Sequence, residues 1–181
     1  TALTVVLIGI RLDIESVILD NGFVALAAAT LATALGAAAA ALVLSVPGAE
    51  RSATQRWAPV GIAAGWGLLL LVSLASGGSI AERLLALPVH LLCVIEIVAM
   101  ALIPGWILFS MLRSAEPLMQ KWSGGLAVLA AVALAAAGTQ FLCPVDDSAH
   151  QFVGHFAPVG GFSIGGTWIG QHLLRKQPNE V

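Results

Sequence analysis

Residues 23–46 read FVALAAATLATALGAAAAALVLSV, a stretch without one charged side chain. A helix rises 1.5 Å per residue, so about 20 residues cross the ~30 Å hydrocarbon core of a bilayer. A run of this length and character is a membrane span. Four more follow, at 57–75, 87–112, 124–142 and 152–174, all free of Lys, Arg and Asp. Residues 1–12 are read as the end of a further span whose beginning lies upstream, because Thr1–Ile10 is too short to cross alone. The expectation is an all-α integral membrane protein, a single membrane domain over 1–181 built as a six-transmembrane-helix bundle with short loops. Composition agrees: 59% of the 181 residues are hydrophobic and 10% charged, with mean hydropathy +0.95, where soluble domains carry about 25% charge.

The connections hold turn chemistry and little else: Asp20-Asn21-Gly22, Pro47-Gly48, Ser76-Gly77-Gly78-Ser79, Glu116-Pro117 and Cys143-Pro144. Cytoplasmic loops are enriched in Lys and Arg near span ends. Arg51, Arg56, Arg113, Lys121, Arg175 and Lys176 fall on one side, while Arg11 and Arg83 share the other with Asp13, Glu15, Asp20, Glu82, Asp146 and Asp147. Both termini are therefore expected in the cytoplasm, with Trp57 and Trp122 at the cytoplasmic interface. A net charge of −2 offers no cationic face for a phosphate backbone, so direct nucleic-acid binding is not expected. The first apolar run has neither a basic region before it nor a small-residue cleavage site after it, unlike a cleavable signal peptide.

Three glycine pairs, Gly61 with Gly65, Gly161 with Gly165 and Gly166 with Gly170, have the spacing that lets membrane helices approach closely. They would serve packing within the bundle or between the protomers of a homodimer. Pro104-Gly105 is expected to loosen the fourth span, since proline removes a backbone donor and crowds the preceding turn.

Chemistry has few places to reside. His90, Cys93 and Glu96 recur at intervals of three and share one helical face. Glu96 is the one carboxylate inside a span, a costly position that marks function by default. The segment around Cys143 supplies a second set of groups, Asp146, His150 and His155. Topology puts Cys93 and Cys143 near the same membrane edge. The plain alternative is two buried apolar thiols, with a solvated acidic loop and a hydrogen-bonded interfacial histidine as the more common outcome for such residues. Thiols and imidazoles together suit zinc, cadmium or other thiophilic ions, yet no CxxC or HExxH frames a tight site. The missing CxxC argues against a thiol oxidoreductase, and one possible facing pair, His90 with His155, is too little for a haem bundle.

In order along the chain, Ser45-Val46-Pro47-Gly48, Cys93 followed by Leu102-Ile103-Pro104, Arg113-Ser114-Ala115-Glu116-Pro117, and Phe141-Leu142-Cys143-Pro144-Val145-Asp146-Asp147-Ser148 with His155 beyond resemble the NrsF-like membrane anti-sigma factors. The likeness covers nearly the whole chain. It implies a multi-pass protein of the bacterial inner membrane that sequesters an extracytoplasmic-function sigma factor and releases it under oxidative or heavy-metal stress. Cys93 and Cys143 match the family's paired sensing cysteines. The resemblance implies no enzyme activity and no required cofactor, with zinc, cadmium or another thiophilic metal as a signal. It also implies that a cytoplasmic segment before the first span grips the sigma factor, and that segment is expected upstream of Thr1.

Two other readings stand beside this one. A small permease or channel would use a polar path around Glu96 and His90, and an assembly module would use the glycine-rich helices. Transporters tend to show internal repeats and helices broken near the midplane, whereas the polar groups here gather toward one surface.

Overall fold

The computed structural model describes residues 11–46, 48, 52–76 and 87–174. Within them the chain forms a short helix α1 (Ile14–Val17) and the long helices α2 (Asn21–Val43), α3 (Ala53–Ser76), α4 (Leu87–Ala115) and α5 (Gln120–Gln140). A short α6 (Ser148–His150) then runs through a π-helical segment, Gln151–Phe156, into α7 (Ala157–Leu173). Among the described residues, α2, α3, α4 and α5 are long and apolar enough to cross a membrane. The expected first span lies, but for its last two residues, outside the described residues. The expected sixth is a composite whose first part is not α-helical.

Local chemistry explains where the ends depart from the hydropathy boundaries. Helix α2 starts at Asn21, before the expected Phe23, because the Asp20 carboxylate accepts the Phe23 amide at 2.8 Å, a cap contributing about 1 kcal/mol. Helix α5 starts at Gln120 rather than Gly124, since a polar interfacial turn is helical without being apolar. Helix α4 runs through Pro104 and on past Leu112 to Ala115. There Glu116 takes a left-handed φ of 47° and Pro117 follows, a combination that stops a helix. The break expected to be pure loop after residue 12 contains α1.

Helix α5 is the axis of the bundle. Its apolar window is 78% buried, against 22–39% for the other three, and α2, α4 and α7 pack around it while α3 packs on α2. The buried side chains of α5 are mostly alanine, which lets four helices converge with little side-chain bulk between them. Gly124 of α5 lies so close to Gly166 and Gly170 of α7 that a Cβ on Gly124 would collide with the Gly170 Cα. By contrast Gly61, Gly65, Gly161 and Gly165 face open space. The outer surface is apolar, with Leu68, Val72, Leu92, Ile95 and Trp106 exposed, as a lipid-facing surface requires.

Contacts at the two ends fix an up-and-down arrangement. Phe23 at the start of α2 meets Phe141 at the end of α5, ring centroids 5.4 Å apart. At the opposite end Trp57 of α3 meets Trp122 of α5 at 4.9 Å. Some polar groups inside the bundle pair across helices: Gln140 donates to the Thr30 hydroxyl at 3.0 Å, and the Thr139 hydroxyl reaches the Met100 sulfur at 3.7 Å.

Candidate thiol and imidazole site

At the end of the bundle marked by Phe23 and Phe141, four side chains from four segments converge. Cys93 comes from α4. Cys143 sits just past α5, where its amide bonds back to the Thr139 carbonyl at 2.8 Å and closes the helix. His150 ends α6, and His155 lies in the π-helical segment. All four are buried, and their ligating atoms lie within 4.8 Å of one another. The two sulfurs are 3.6 Å apart, a contact between free thiols. His150 Nε2 lies 3.3 Å from Cys93 Sγ and 3.2 Å from Cys143 Sγ.

The sequence builds this corner in steps. The Asp147 carboxylate accepts the amides of Ala149 and His150 at 2.9 and 3.2 Å, nucleating α6 and aiming His150 inward. Five residues on an α-helix turn about 500°, which would send His155 far round the axis from His150. The π turn, with its wider i to i+5 repeat, returns His155 to the same face, and the two rings meet edge to face at 5.4 Å. Gly154 leaves the necessary room, because a Cβ there would stand 3.3 Å from the His150 ring. Phe156 anchors the segment from outside, its ring against Trp66 at 5.0 Å and over the bare backbone of Gly67.

A guanidinium locks the loop that carries Cys143. Arg11 donates to both oxygens of Asp146 at 2.7 and 2.6 Å, to both oxygens of Asp13 at 2.7 Å, and to the Cys143 carbonyl at 3.2 Å. Its backbone amide reaches the Phe141 carbonyl at 3.3 Å. This planar fork, 1% exposed, is the geometry in which arginine outperforms lysine. Hydrogen bonds from Cys93 and then His150 hold the Cys143 thiol below its ordinary titration range, against the opposing effect of burial. These contacts favour Cys143 over Cys93 as the thiolate.

Of the residues singled out in the sequence, Cys93, Cys143, His150 and His155 come together. Asp146 stands apart, both of its oxygens taken by Arg11. Glu96 lies one turn along α4, half-buried, with Oε1 lacking a hydrogen-bond partner and outside the four-atom cluster. The His90 side chain lies outside the described residues. Arg11 was not foreseen as part of the site. The signal for it was present, since it is a cation on the side that otherwise collects carboxylates.

A family model described as NrsF, negative regulator of sigma F, matches residues 1–175. No curated protein and no solved structure matches the chain.

Proposed function

The chain belongs to the NrsF family of negative regulators of sigma F, and from that premise we propose that it is a multi-pass anti-sigma factor of the bacterial inner membrane. It holds an extracytoplasmic-function sigma factor at its cytoplasmic face and releases it when Cys93 and Cys143 meet an oxidant or a thiophilic metal. It acts by binding and not by catalysis. The observation that carries this reading is the 3.6 Å approach of two thiols separated by 50 positions, beside an imidazole that touches both.

Oxidation balances without further groups. The Cys143 thiolate attacks one oxygen of a peroxide, giving a sulfenic acid and hydroxide, which takes up the proton the thiol had lost. The Cys93 sulfur then displaces the second oxygen as water, its own proton leaving with it. Two thiols and one peroxide become a disulfide and two waters. The sulfurs close from 3.6 Å to about 2.05 Å, drawing α4 toward the loop after α5. Arg11 grips the Cys143 carbonyl and Asp146, so this movement is carried to Arg11. A signal of this kind acts only through a difference in free energy between the holding and releasing states.

The test is a sigma-dependent reporter in cells carrying Cys93→Ser, Cys143→Ser or both, challenged with peroxide or cadmium. Induction is expected to be lost while repression in unstressed cells persists. Normal induction in both single variants would end the thiol-sensor reading.

A further inference from the structure

We propose that Cys93, Cys143, His150 and His155 form a closed four-coordinate site for a thiophilic divalent cation, zinc first and cadmium in competition with it. The proposal deepens the sensor reading by naming the ligand of the same two thiols, and its geometric case stands without the sigma factor. Zinc bonds of about 2.3 Å to sulfur and 2.0–2.1 Å to nitrogen put the corners of a tetrahedron about 3.8 Å apart for two sulfurs and about 3.5 Å apart for sulfur and nitrogen. The distances here are 3.6 Å between sulfurs and 3.3 and 3.2 Å from them to His150 Nε2. Shifts of a few tenths of an ångström bring these three atoms to corners of a tetrahedron, and a His155 nitrogen within 4.8 Å of them is the candidate for the fourth.

His155 supplies the independent argument. It is 0% exposed, and neither ring nitrogen makes a hydrogen bond of good geometry among the described residues; its nearest polar neighbour is the Cys143 thiol, and one nitrogen lies within 4.8 Å of the other three donor atoms. A buried imidazole with both nitrogens unsatisfied is unfavourable unless something occupies the space it faces. The π turn that puts it there is itself a less favourable local structure that proteins use at functional sites.

The donor set selects the ion. Two soft sulfurs and two imidazoles with no carboxylate among them favour zinc and its heavier thiophilic relatives over magnesium or calcium. Two thiolates also cancel the double positive charge, so the loaded site is neutral at a membrane edge. Both sulfurs bind as thiolates, so loading releases the protons they still carry.

The test uses the full chain purified from membranes in detergent, with zinc alone and cadmium alone as probes. One ion per chain is expected by elemental analysis, with protons released on loading and an ultraviolet thiolate-to-metal band with cadmium. His155→Ala should weaken zinc binding by more than the roughly 10–100-fold that outer-shell partners carry. His155→Cys, which restores a ligand, should recover most of it, and Glu96→Gln should bind as the parent does. Folding of each variant is checked by thermal melting. Failure of the folded parent to take up either ion would overturn the proposal, as would unchanged binding in a folded His155→Ala variant. If the ion is absent yet the reporter still depends on both cysteines, the site is refuted and the thiol–disulfide reading stands. Zinc bound in a chain whose reporter ignores the cysteines upholds the site and refutes the sensor.

Discussion

Arg11 and Asp146, separated by 135 positions, meet in a two-pronged ion pair of 2.7 and 2.6 Å, with the arginine side chain 1% exposed and the aspartate 52%. One partner is buried and the other wet, so the pair is worth less than a fully desolvated bridge and more than a surface one. Arg11→Ala is expected to cost about 1–3 kcal/mol, in the range of charged hydrogen bonds. Arg11→Lys should recover only part of this, since an ammonium cannot span two carboxylates and a carbonyl in one plane. Melting in detergent measures the cost, and a cycle with Asp146→Asn isolates the pair. Additive single and double variants would show that the pair contributes nothing.

Acid should weaken the same clamp with a defined sign. The Arg11 guanidinium holds the Asp13 carboxyl below its usual range. A carboxyl depressed in the folded state stabilises fully above the unfolded pKa of about 3.9, and that contribution is lost as pH falls through the lower folded value. The difference in melting temperature between the parent and Asp13→Asn should therefore stay flat from neutral pH down to about pH 5. It should shrink only in stronger acid. A difference that changes near pH 7 would assign the effect to another group.

Thiol reactivity should be unequal. Cys143 is held toward its thiolate by Cys93 and His150, so it should be the first sulfur labelled by a small alkylating agent. Its rate should remain measurable well below the ordinary thiol pKa of about 8.5. His150→Ala should move that pH profile upward. Peptide mass analysis after timed alkylation reads both effects, and equal labelling of Cys93 and Cys143 across pH would contradict the assignment.

Hydropathy was sufficient to read α2 to α5, because a span must be apolar along its whole length and lipid allows few alternatives. The same reasoning could not find the π turn. Five-residue spacing between His150 and His155 looks unrelated under the α-helical period, and only the backbone's local departure from that period brings the rings together. Cys93 and Cys143 were placed at one membrane edge by topology, but their approach depends on how α4 leans on α5, which periodicity does not encode. Asp146 looked like a metal ligand because its chemistry allows it. Its actual partner, Arg11, lies at the other end of the chain.

The glycines give the last test, since three pairs of equal spacing meet unequal surroundings. A methyl group on Gly124 would strike the α7 backbone at Gly170, and one on Gly170 would stand 2.5 Å from the Gln120 carbonyl. Backbone cannot move aside as a flexible side chain can, so α5 and α7 must separate. Gly124→Ala and Gly170→Ala should each destabilise the bundle by about 1–3 kcal/mol or more, the cost of overpacking. Gly61→Ala and Gly161→Ala have nothing within 4 Å of the added methyl and should melt within about 0.5 kcal/mol of the parent. If Gly161→Ala proved as damaging as Gly124→Ala, that open face would be packed against another molecule in the membrane.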